Sequence, residues 1–258
     1  MEPLAFVLQK TEGGTPPEQA NVLSHCLRHR KPYGFVGSFR QNDVPQNVST
    51  VPVGSVEFCQ TYMDVLNIAR PAPIGLPESL KKFLGRDVRA LSLDEVLFEL
   101  EKKPAFVKPA DTVKTFTGRV FTSKQDFLET LAGLPASWRK DSLFPTKFYV
   151  ADPVVFEQEW RIYIIQGKTV GTGRYDPNET PDSFLPTRLI GKILDSYGRK
   201  APSGYSIDLG LTKNGWALVE LNDAWALGAY HGISSDNYAK ILETRWKELV
   251  QERIWDER

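Results

Sequence analysis

Residues 206–223 read "SIDLGLTKNGWALVELND". Asp208 sits between Ile207 and Leu209, and the apolar run Ala217-Leu218-Val219 leads straight into Glu220, Asn222 and Asp223. Asn214-Gly215 between the two runs is a strong hairpin signal. Loop length then decides which side chains share a face, because a one-residue slip turns every side chain over. A two-residue loop of Asn214-Gly215 pairs Lys213 with Trp216 and Asp208 with Leu221, and leaves both faces mixed. A three-residue loop of Lys213-Asn214-Gly215 pairs Thr212 with Trp216 and Asp208 with Glu220. It gathers Ile207, Leu209, Leu211, Ala217, Val219 and Leu221 on one wholly apolar face, with glycine at the left-handed position. The three-residue register is the expected one.

In that register two carboxylates face each other across the strands, which is unfavourable unless a cation lies between them. Two readings stand. The acids lie on a solvated sheet face, or Asp208, Glu220 and Asn222 are hard oxygen ligands for magnesium, which borrows further oxygens from a phosphate.

The 258 residues contain 41% hydrophobic and 25% charged side chains, ordinary for a globular chain. Lys plus Arg and Asp plus Glu both number 32, so no basic field favours nucleic acid. No run is long enough to span a membrane, the N-terminus has no signal-peptide layout, and the expected location is the cytoplasm. Cys26 and Cys59 are too few for a disulfide framework or a zinc site. The Asn47 and Asn178 sequons read as chance in such a chain.

Along the chain, "LAFVLQ" predicts a strand. Thr15-Pro16-Pro17-Glu18 predicts a capping-box helix start, with Ala20, Leu23, Cys26 and Leu27 on one stripe. Short strands at "GFVG" and "STVPVGSVEF" and a helix at "FCQTYMDVLNI" complete a small α/β unit over residues 1–75. The proline-rich "ARPAPIGLP" reads as a linker. A second unit, 76–258, follows in two parts, 76–152 and 153–258. It has a Ser92/Glu95 capping box, the strand "AFVKP", "GRVFTS", the helix "KQDFLETLAG" and the strand "KFYVAD". After these come the hairpin "EWRIYIIQGKTVGTGRY", a helix ending at Gly198, the 206–223 hairpin and a long helix from Ser235.

"QGKTVGTG" imitates a phosphate-binding loop, but Ile162 stands where that motif needs glycine. A tight Gly167-Lys168 turn fits better. It pairs Gln166 with Thr169 and places Arg161 opposite Arg174 on one face. Such a pair suits an overlying anion; the alternative is two arginines splayed apart or paired with Glu159 and Asp176. Lys108 ends an apolar strand, where a packed stem holds its ammonium at a cleft edge, beside a polar loop running from Asp111 to Thr117. His25 and His29 have metal-compatible i, i+4 spacing, but no third ligand lies nearby, and the pair reads rather as histidines on a charged helix face; His231, in a loop after the acidic strand, is a further site candidate. Together the lysine, the arginines and the oxygen ligands describe a magnesium–nucleotide cleft.

In order and spacing these residues resemble the ATP-grasp superfamily over about 76–258, and most closely its clade named for two arginines and one lysine. The resemblance implies an ATP-grasp fold of α+β subdomains behind a small N-terminal α/β domain. "FVKPA" is similar to the strand whose lysine holds ATP phosphates, here Lys108. "EWRIYII…GRY" is similar to the segment supplying phosphate- and substrate-facing arginines, here Arg161 and Arg174. "IDLGL…LVELND" is similar to the magnesium strands, which implies Asp208, Glu220 and Asn222 as ligands. By the same resemblance adenine lies by "YVADPVVFE", near Val155 and Phe156, with Glu157 or Glu159 at the ribose. Lys114 or Lys82 is the second phosphate lysine. The implied activity is an ATP- and Mg2+-dependent carboxylate–amine ligase working through an acyl phosphate on small-molecule or peptide substrates. A kinase acting on a hydroxyl and a non-catalytic nucleotide binder are the alternatives.

Overall fold

The computed structural model of the chain describes residues 5–37, 47–110, 115–134, 145–178 and 180–256, with side chains to 252. Three sheets organise it. The first is parallel, with strand order β2-β1-β3: β1 Phe6–Gln9, β2 Tyr33–Val36 and β3 Val51–Val53. Helix α1 (Pro17–His29) connects β1 to β2, α2 (Val56–Val65) follows β3, and both pack on the sheet. Two antiparallel sheets follow. One has the order β4-β7-β5-β6 (β4 Val88–Leu91, β5 Ala105–Pro109, β6 Arg119–Phe121, β7 Phe148–Ala151) and carries α3 (Leu93–Lys102) and α4 (Lys124–Ala132). The other has the order β11-β10-β8-β9: β8 Gln158–Ile165, β9 Lys168–Arg174, β10 Gly204–Thr212 and β11 Gly215–Asp223. Helices α5 (Thr187–Tyr197) and α6 (Ser235–Asp256) complete the chain. No helix among the described residues is long and apolar enough to cross a membrane.

The second sheet buries one face against its helices through Val96, Leu100, Val107, Phe121, Phe127 and Phe148. The Ser92/Glu95 capping box that starts α3 forms as expected. Strand β4 is not among the elements expected from sequence; "VRAL" is short and half-exposed, so it lacks a period-2 signal. The third sheet is buried on both faces, which explains the unbroken apolar run of β8. Ile162 and Ile164 meet α5 on one side. Tyr163 and Ile165 join a core shared with the first sheet, α2 and α6 on the other.

In the 206–223 hairpin Asp208 pairs with Glu220 as expected, by a route the sequence does not suggest. Thr212 pairs with Gly215 and Leu209 with Leu218, so Lys213-Asn214 form the turn, and Val219 is an extra residue that restores the predicted register at Glu220. The Thr212 hydroxyl closes the turn by accepting from the Asn214 N–H (3.1 Å) and donating to the Gly215 carbonyl (2.9 Å). Gly215 takes the expected positive φ, 107°. The bulge turns Leu218, rather than Val219, into the core beside Leu209 and Leu221. Arg86 fixes it by donating to the carbonyls of Leu218 (3.0 Å) and Val219 (3.2 Å).

The second hairpin corrects its expectation. Gln166 (φ 48°) and Gly167 (φ 74°) make the turn, pairing Ile165 with Lys168, and a further irregularity follows at Tyr163/Ile164. Arg161 therefore pairs with Gly173, while Arg174 pairs with Trp160; the two arginines lie on opposite faces. The glycines that imitate a phosphate loop make room for the chain after β11. A side chain at Gly173 would meet the His231 carbonyl at 2.8 Å, and one at Gly171 would meet Ile233 at 2.9 Å.

Helix α1 also departs from its expectation. It starts without a side-chain cap, and its buried stripe is Gln19, Val22, His25 and Cys26, while Leu27 is 62% exposed. Glu18 is drawn away from a capping box because its Oε1 accepts from the Ala229 N–H at 2.9 Å.

Candidate functional site

Across the third sheet three charged residues fall in register: Arg161 on β8, Asp208 on β10 and Glu220 on β11. Arg161 grips Asp208 with a fork, Nε to Oδ1 at 2.9 Å and Nη2 to Oδ2 at 2.7 Å, and both side chains are buried. Tyr230 lies under the guanidinium, 4.8 Å from it, and stacks on Tyr175 with ring centroids 4.7 Å apart. The Tyr175 hydroxyl donates to Glu159 (3.1 Å) and reaches Asp208 at 3.4 Å. The Asn222 amide bridges the acids, Nδ2 to Asp208 Oδ2 at 3.2 Å and to Glu220 Oε1 at 3.0 Å.

Lys108 reaches over from the second sheet to Glu220 Oε2 at 3.0 Å. Its stem lies against Gly118, where a Cβ would sit 2.6 Å from the Lys108 Cβ. Gly118 thus leaves room for the lysine. Between the sheets lies a cleft of about 410 Å³, lined by Lys108, Phe116, Arg161, Glu220, Asn222 and Tyr230 among others, within the size range of small-molecule sites. The proline-rich 71–75 stretch forms part of its wall.

The charges are balanced pairwise. Burial pushes the Asp208 carboxyl above the usual aspartate range, against the pull of Arg161. Burial also works to raise Glu220, but Lys108 and the Asn222 amide outweigh it and hold the carboxyl low. Glu220, whose side chain is 34% exposed, lines the cleft. The donor set is two carboxylates and an amide within hydrogen-bond reach of one another, and it fits a hard cation. Glu220 and Asn222 can turn to such an ion directly. Asp208 can offer it Oδ2 only by opening one arm of the Arg161 fork.

Other expected residues lie elsewhere. Arg174 is outside the cleft lining; it binds Asp176 (2.8 and 2.9 Å) and Asp182 (2.9 Å) and the carbonyls of Asn178 and Thr180. The reason is the second hairpin's register, which turns it from Arg161. Arg174→Ala should therefore lower the urea midpoint by releasing the 176–182 segment, the reverse of the neutral effect expected for two repelling arginines; a midpoint equal to wild type counts against this. Phe156 covers Gly210 on the Asp208 face, with the Arg86 guanidinium 5.7 Å from its ring. Val155 is 82% exposed. Glu157 and His231 are exposed, and Glu159 is half-buried under Tyr175. Lys82 is exposed over Phe83, and Lys114 lies outside the described residues. Asp223, next to the acid pair, is structural, held by Arg245 at 2.8 and 2.9 Å.

Sequence reading misses Tyr175, Tyr230 and Arg86. Tyr230 is set by the loop after β11, whose Gly228 carbonyl accepts from the Tyr163 hydroxyl (3.1 Å), while the Tyr230 N–H donates to that same hydroxyl (2.9 Å). No local pattern marks such contacts.

A sequence profile described as an ATP-grasp domain, family 2 of the clade named for two arginines and one lysine, matches residues 83–241. No curated protein matches the chain in sequence. Among solved structures, the RimK domain protein ATP-grasp from Sphaerobacter thermophilus aligns at TM-score 0.56 and 13% identity, over 96% of this chain and 100% of that one. D-alanine–D-alanine ligase from Bacillus anthracis complexed with ATP aligns at 0.53 and 15%, over 97% and 98%. D-alanyl-alanine synthetase A from Vibrio cholerae aligns at 0.52 and 12%, over 95% and 99%. At such identities the likeness is one of fold, and it agrees with the α+β architecture described above. The profile spans more than half of the sequence and takes in Lys108, Arg161, Asp208, Glu220 and Asn222, so the chain belongs to the ATP-grasp domains, in family 2 of the two-arginine, one-lysine clade.

Proposed function

We propose that the protein is an ATP- and Mg2+-dependent ligase that joins a carboxylate to an amine through an acyl phosphate. The observation that carries this is the meeting of Lys108 from one sheet with Glu220, Asn222 and Asp208 from the other across a cleft of about 410 Å³. The resemblance in fold to D-alanine–D-alanine ligase complexed with ATP is consistent with it. In this reading Lys108 exchanges Glu220 for ATP phosphate oxygens, binding them as a point charge. Glu220 and Asn222, joined by Asp208, would hold magnesium, which when bound offsets phosphate charge. Arg161 holds the shared acid in place, and its Nη1, 3.4 Å from the Gly228 carbonyl, lies at the cleft wall. Catalysis would then rest on positioning and electrostatics, which dominate phosphoryl transfer. Phe156 is the adenine contact of this reading, with Glu159 toward the ribose.

The acyl phosphate is the testable step. With ATP, magnesium and an active carboxylate, hydroxylamine should intercept the mixed anhydride and give a hydroxamate matched by ADP, without the natural amine. ADP release matched by a stable phosphoester would make the protein a kinase instead.

A further inference from the structure

His25 and His29 stand one turn apart on α1, and the fold brings them the third ligand that the local sequence lacks. Asp236, in the first turn of α6, places Oδ1 2.7 Å from His25 Nδ1 and 3.0 Å from His29 Nε2. These three ligand atoms lie within 4.8 Å of one another, and the two rings are 4.7 Å apart and tilted by 45°. Nothing in the proposed ligase chemistry uses them.

We propose that His25, His29 and Asp236 form a zinc site that clamps α1 to α6, separate from the magnesium ligands of the cleft. Two imidazoles and a carboxylate suit zinc, with water in the fourth position. Zinc–ligand bonds of about 2.0–2.1 Å place tetrahedral ligand atoms about 3.3 Å apart. The two N···O separations, 2.7 and 3.0 Å, need to widen by about 0.6 and 0.3 Å. His29 and Asp236 are 45% and 42% exposed, so an ion can enter from solvent, while His25, at 9%, supplies a rigid ligand. Arg28 holds the other carboxylate oxygen, Oδ2, at 2.9 Å, which orients Asp236 and leaves Oδ1 to the rings. Two features moderate the affinity. Arg28 is a cation beside the ion. His25 must also carry its proton on Nε2, which is buried without a partner. Micromolar rather than nanomolar binding is the expected strength.

The experiment is a zinc titration of the untagged, chelator-stripped full chain by calorimetry, with cobalt(II) absorption as a probe of tetrahedral nitrogen–oxygen ligation. Wild type should take up one equivalent and melt at a higher temperature with zinc present. His29→Ala changes an exposed ring and should fold; it should weaken binding at least about a hundredfold, more than the 10–100-fold typical of losing an outer partner. Asp236→Ala should behave alike, and Glu220→Gln should keep the site intact. No uptake at micromolar zinc overturns the proposal. So does uptake that survives His29→Ala or disappears in Glu220→Gln, which would put the ion in the cleft.

Discussion

Arg161→Ala is expected to destabilise the ligand-free protein by about 3–5 kcal/mol, the scale for removing one partner of a buried ion pair. Its fork is the principal compensation for Asp208, whose side chain is 1% exposed on a middle strand of a sheet covered on both faces. Without it the acid keeps only the Asn222 amide and the longer contact to Tyr175. Arg161→Lys should rescue little, because one ammonium cannot meet both carboxylate oxygens. The double variant Arg161→Met, Asp208→Leu should recover much of the loss, since replacing a whole buried pair by apolar groups is often neutral. Urea unfolding of wild type, Arg161→Met, Asp208→Leu and the double variant, read as a double-mutant cycle, tests this. An Arg161→Ala variant as stable as wild type would mean that the fork is not holding the sheet together.

Arg161 meets a partner that its sequence position does not suggest, because its fork closes on Asp208. An arginine on a strand facing a supposed ligand is legible in sequence, and its partner on a neighbouring strand is not. The difference lies in the pairing of β8 with β10, which sets Asp208 opposite Arg161, and strand order is not a local property of sequence. The second hairpin shows the same limit. Gly167 is legible as a turn residue, but the φ of 48° at Gln166 is not. Moving the turn by one residue shifts the pairing by two and keeps each face, so it is the irregularity at Tyr163/Ile164, equally hidden, that sends Arg174 to the other face. The first hairpin is more legible because its apolar side chains are numerous enough to specify a face. The bulge at Val219 stays hidden, since a compensated slip near the turn leaves the Asp208–Glu220 pairing unchanged. Lys108 can be placed from sequence because a short apolar run ended by proline fixes where a strand stops. The partner of His25 and His29 cannot, because Asp236 is more than two hundred residues away and meets them only when α6 packs on α1.

Glu220→Gln should separate function from fold more sharply than any other single change in the cleft. The substitution keeps shape and an acceptor oxygen but removes the charge that faces both Lys108 and the space between the sheets. Two effects on the ligand-free protein oppose each other. The Lys108 pair at 3.0 Å is lost, but both its side chains are partly exposed, at 28% and 34%, so it contributes little. At the same time a negative charge that pushes the Asp208 carboxyl up is removed. The expected balance is an unfolding midpoint equal to wild type or slightly above it. With magnesium and ATP the result should be large. Losing one preorganised electrostatic group at a reacting centre typically costs about 10²–10³-fold in turnover, and nucleotide binding should become much less sensitive to magnesium. Calorimetric titration of a non-hydrolysable ATP analogue at several magnesium concentrations reads the second effect without needing the carboxylate substrate. If the variant binds nucleotide with wild-type magnesium dependence, Glu220 is only the partner of Lys108, and the metal set must be sought elsewhere in the cleft. If it is instead strongly destabilised without ligand, the pair across the cleft is structural, and Lys108 is not free to exchange Glu220 for phosphate.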